Sequence, residues 1–289
     1  MARSQTLATL FVASISLGVA LPAAAQQVVP PQQDGATLRA ALAPTMALPG
    51  KPMPTDASAL DAMFGQRDWT RLAARLHSER SAPQTLLDMN WEQKRIYDGA
   101  GFLISYAYMN DLWRMGASLP PQTGAGLQQT AAMMFLYSLD LTVIDGPKCA
   151  DVTAAGHRRE QLSAQNPALV AYIKTLPRAE RMKLGTISLS IEAATAALRP
   201  NDEILCSGGL SEMQAGLKAQ GNTPLPQVPN APGTIGKSYA VPSAPGYAPQ
   251  FVAETVWRPK QTEARAAMPK ALTRMLTLPT DSQPPVSAK

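Results

Sequence analysis

The sequence predicts an all-α protein: a single bundle of about seven helices, flanked by extended proline-rich N- and C-terminal segments. Three observations carry that prediction. Between about Thr55 and Ala219 apolar residues recur at helical spacing, and alternating strand-like stretches are nearly absent. Cap residues and prolines punctuate the same window at intervals suited to helices joined by short loops. Outside it the prolines crowd too closely for helix interiors. An apolar fraction of 45% is ordinary for a chain with a packed core.

The elements follow in chain order. Arg3, an uncharged run from Leu7 to Val19 and the small residues Ala23-Ala24-Ala25 form the pattern of a signal peptide over residues 1–25. Cleavage near Ala25 places the mature chain, from Gln26, in the periplasm or outside the cell. The apolar run is shorter than the ~20 residues a bilayer span requires, and no later apolar run is long enough to cross a membrane, so the mature chain is expected to have no transmembrane span. Residues 26–54, with Pro30, Pro31, Pro44, Pro49, Pro52 and Pro54, read as an extended leader.

The helical domain is expected at residues 55–219. Asp56 is placed to cap a helix through Phe64, and Asp68 one bearing Trp69, Leu72 and Leu76. Asn90 with Gln93 resembles a capping box at the head of one long helix that carries Ile96 to Trp113, weakened at Gly99 and Gly101. A helix from about Leu127 ends at Asp145-Gly146-Pro147. Asp151, Asn166-Pro167 and Pro177 open three more, and Ser207 or Ser211 a last short one. Methionines such as Met109, Met115, Met133 and Met134 read as core filling rather than a soft metal site.

Residues 220–289 form a proline-rich tail, expected to be a linker up to about Pro249. Gln26 to Leu217 holds 17 Lys+Arg against 18 Asp+Glu, whereas Lys218 to Lys289 holds 8 against 3, so the tail is the basic part of the chain. Near 264–277 apolar residues fall on one helical side, with Pro269 expected to cut the helix. Trp257, Met268, Leu272, Met275 and Leu276 are the candidate docking segment.

Two cysteines in an exported chain predict a Cys149–Cys206 disulfide, each partner just outside a helix. The polar run Asp145, Lys148, Asp151, His157 and Glu160 is the candidate polar site. His157 and Glu160 share a helical face, but two histidines in the whole chain are too few to predict a metal site. Motifs for a serine elbow, a zinc helix, a phosphate loop or covalent haem are absent from the sequence, so no cofactor and no catalytic residue is predicted. A catalytic carboxylate pair has no fixed spacing; Glu79, Asp98, Asp111 and Glu192 stay open for that role.

The functional expectation is an exported binding or accessory protein of the cell envelope, more a binder than an enzyme. One alternative is a carboxylate-dependent hydrolase of envelope polymers. Another is a structural or assembly factor whose basic tail contacts anionic lipid or polysaccharide. The expected partner is another envelope protein or an anionic envelope polymer rather than nucleic acid.

Overall fold

The computed structural model describes residues 27–230 and 236–282; the predicted signal peptide lies outside the described residues. Among these residues the chain is mostly helical, with eleven α-helices instead of about seven. They are α1 (Gly35–Met46), α2 (Ala57–Gly65), α3 (Trp69–His77), α4 (Ala82–Tyr97), α5 (Phe102–Ser118), α6 (Pro121–Ile144), α7 (Val152–Gln165), α8 (Pro167–Thr175), α9 (Arg178–Thr195), α10 (Leu210–Gln220) and α11 (Glu254–Leu276). A two-stranded antiparallel pair, β1 (Gln227–Val228) and β2 (Ser238–Tyr239), precedes α11.

Helix α6 is the axis of the molecule. Every residue from Ala131 to Thr142 is buried, so this stretch is enclosed on all sides, its mostly apolar surface interrupted by Ser138, Asp140 and Thr142. It packs against α5, α7, α8, α9 and α11, while α4 lies on the far side of α5 and α1 bridges α4 and α9. Met109, Met133 and Met134 are core residues.

Four expectations are corrected. The leader is not extended throughout: Asp34 accepts hydrogen bonds from the Ala36 and Thr37 amides and opens α1, which buries Leu38, Leu42 and Met46 and includes Pro44 near its end. The long helix is divided. Its first half starts at Ala82, where Gln84 accepts from the Ser81 amide and hydroxyl, while Asn90 and Gln93 reach out to the Pro52 and Thr45 carbonyls. The chain turns at Gly99, whose φ is +93°, and Gly101 then lies so close to Asp202 that a Cβ would sit 2.0 Å from its carboxylate. That carboxylate accepts from the Phe102 amide at 2.6 Å and starts α5.

Asp56 makes no cap bond and pairs with Arg75 instead. The tail, finally, is no free linker. Residues 241–243 cross α10 at Gly216, where a Cβ would meet the Pro242 carbonyl at 2.2 Å. Gln250 and Val252 bond the backbone on either side of Cys149, and α11 runs through both Pro259 and Pro269. Its own packing offsets the ~3 kcal/mol that an interior proline costs an isolated helix.

Candidate functional site

The five polar residues read from the sequence do not form one site. Asp145 and Lys148 are buried at the end of α6, paired at 3.1 Å, in a cluster completed by residues distant in the chain. Arg199, after α9, donates to Asp145 at 2.6 Å and to Glu192 at 2.5 Å, and also bonds Thr195. From α11, Gln261 donates to Asp145 at 2.6 Å and Arg265 grips both oxygens of Glu192. Burial pushes the Asp145 carboxyl up, but Arg199 and Lys148 outweigh it and hold it below the ordinary value. Lys148 also lies 5.3 Å from the Trp257 ring centroid. This cluster ties α6, α9 and α11 together, and Glu192 is consumed in it.

The docking residues divide accordingly. Met268, Leu272 and Leu276 are buried against the bundle, and Trp257 is half-buried. Met275, one residue off that stripe, is exposed.

A second ionic cluster joins α3, α4 and α5. Arg75 bridges Asp56 and Asp88, Arg80 bridges Asp88 and Asp111, and Arg114 holds Asp111 at 2.5 Å. Beside it Glu92 is fully buried with no hydrogen bond to either carboxyl oxygen. Burial, with repulsion from Asp111, raises its pKa well above the ordinary carboxylate value. Asp98 pairs with Lys94 and Arg39 at the surface.

His157 and Glu160 belong to a separate place: a cleft of about 700 Å³ between α7, α10 and the segment around β2. The disulfide Cys149–Cys206 joins the loops leading into α7 and α10. Just beyond it, Asp151 accepts from the Thr153 amide and hydroxyl on α7 and from the Ser211 amide on α10, at 2.6 to 2.9 Å. One carboxylate therefore serves two helix N-termini. Burial acts upward on its pKa, and the hydrogen bonds from Thr153 and Ser211 prevail and lower it. Thr153 Oγ1 in turn accepts from the Leu210 amide at 2.9 Å.

The walls of the cleft are of two kinds. Leu210, Met213, Tyr239 and Val241 present apolar surface, and the first three are among the most exposed large hydrophobic residues described. Glu160, Glu212 and His157 supply the ionisable groups. Glu212 accepts from the Gly208 amide at 2.6 Å and from Ser243, which fastens the crossing segment to α10. Among the described residues no hydrogen bond or ion pair engages the side chain of Glu160 or His157. Glu212, Met213 and Tyr239 carry no sequence motif; the closeness of Tyr239 to α7 arises only because the chain folds back across Gly216. No cluster of three or more metal-ligating side chains occurs among the described residues.

Comparison with known proteins finds no matching family model, no similar curated protein and no similar solved structure.

Proposed function

We propose that this chain is an exported envelope protein that binds a small ligand or side-chain group in the cleft between α7 and α10. The observation that carries the reading is the cleft itself. Its volume lies in the range of ligand sites, the helices that form it are tied together by a disulfide and a shared helix cap, and its walls combine exposed apolar surface with two polar groups that no described residue engages. Export is supported by the leader pattern and by the disulfide, which suits an oxidising compartment. No described helix is long and apolar enough to cross a membrane.

A second reading has one observation in its favour. The outer face of α11 exposes Arg258, Lys260, Lys270 and Arg274 against Glu254 and Glu263, a surface suited to an anionic envelope polymer. Arg258 is already paired with Glu254, and the charges are spread over the helix length, so the cleft is the better-supported site.

Isolation of the protein from cell envelopes, followed by mass spectrometry of what it carries, tests the proposal. A mature N-terminus at Gln26, with a compound retained by the wild type and lost from Met213→Arg, is the expected result. An intact leader, or a compound retained equally by both, contradicts it.

A further inference from the structure

Resting on that reading of the cleft, we infer that its ligand is an organic cation: an amine or guanidinium attached to an aliphatic or aromatic body. Charge complementarity favours this occupant. The protein carries a net charge of +5, yet among the described residues no lysine or arginine lines the cleft, whose ionisable lining includes Glu160, Glu212 and His157. Asp151 lies behind Gly209, its carboxylate taken up by Thr153 and Ser211. Arg158 lies under Gly208 with one guanidinium nitrogen beside it, while its other nitrogens bond the Ile204 carbonyl and Gln161 and its side chain lines a smaller cavity.

Two further features fit a cation with an apolar body. Glu212 spends its oxygens on Gly208 and Ser243, while Glu160, exposed on the facing helix, is left to accept from a ligand. Tyr239 offers an aromatic face at the same opening, the surface to which ammonium and guanidinium groups are drawn. Leu210, Met213 and Val241 would cover the remainder of the molecule.

Titration calorimetry with three congeners on the oxidised full chain tests the inference: 4-phenylbutylamine, 4-phenylbutanol and 4-phenylbutyrate, which differ in charge at one end. The amine should bind at least about fivefold more tightly than the alcohol, with the carboxylate weakest, and added salt should weaken the amine alone. Glu160→Gln, a change at an exposed position, should reduce amine affinity about threefold and leave the alcohol unchanged. Met213→Arg should abolish amine binding. Equal affinity for all three, each lost with Met213→Arg, would overturn the cationic assignment and leave the cleft as a binding site. No binding of any congener to the wild type would overturn both.

Discussion

Glu92 shows how a single buried group converts into a measurable property. Its two oxygens lack partners and its pKa is raised, so the folded state favours the protonated acid. A raised folded-state value contributes stability that is complete below the unfolded pKa and is lost as pH rises through the folded one. Glu92→Gln keeps the shape and removes the titration. Thermal melts of the variant should depend less on pH between 5 and 9, with a gain on the order of 1 kcal/mol at the alkaline end. An unchanged pH dependence would show that Glu92 does not carry it. Arg199 presents the opposite case, since its removal takes from buried Asp145 and Glu192 a shared cation and leaves Asp145 with Lys148 and Glu192 with the half-exposed Arg265 alone. Arg199→Met should cost roughly 3–5 kcal/mol in chemical denaturation. Neither role is visible in the sequence: nothing in the residues around Glu92 marks its carboxyl as buried without a partner, and the two carboxylates that Arg199 holds come from the end of α6 and from α9.

At the level of elements, local chemistry was legible wherever a cap or a proline acts on its own neighbours. Asp68 accepts from the Arg71 amide and Asp151 from that of Thr153, and the segment after Asn166-Pro167 is helical from Pro167. What could not be read was whatever depends on a distant partner. Helix α11 passes through two prolines because α6 and α9 hold it, and α5 begins at Phe102 because Asp202, one hundred residues away, caps it. Leu272→Ala should therefore cost about 2–5 kcal/mol, as in a core, whereas Met275→Ala on the same helix should stay within about 0.5 kcal/mol. Equal effects from the two would mean that α11 is not docked as described. The disulfide closes 57 residues of chain and should contribute roughly 4 kcal/mol in the chain-entropy model. Comparison of denaturation midpoints with and without reductant checks it; no change on reduction would contradict that contribution.

For the molecule as a whole, the axis formed by α6 and the enclosing helices explains why function is sought at the rim. The interior is filled by apolar side chains and two ionic clusters, and a cleft of about 700 Å³ lies where the disulfide, two helix N-termini and the returning tail converge. Only the α7 half of that opening was readable in the sequence, through His157 and Glu160 at helical spacing. The α10 half and Tyr239 arrive through tertiary folding. Amide-shift mapping by NMR of a fragment library on the oxidised protein tests the central claim most directly. The account predicts that bound fragments perturb Thr153 to Glu160, Gly208 to Met213 and Tyr239 together, and that Met213→Arg removes the response. Perturbations centred on another surface, or none at all, would contradict it.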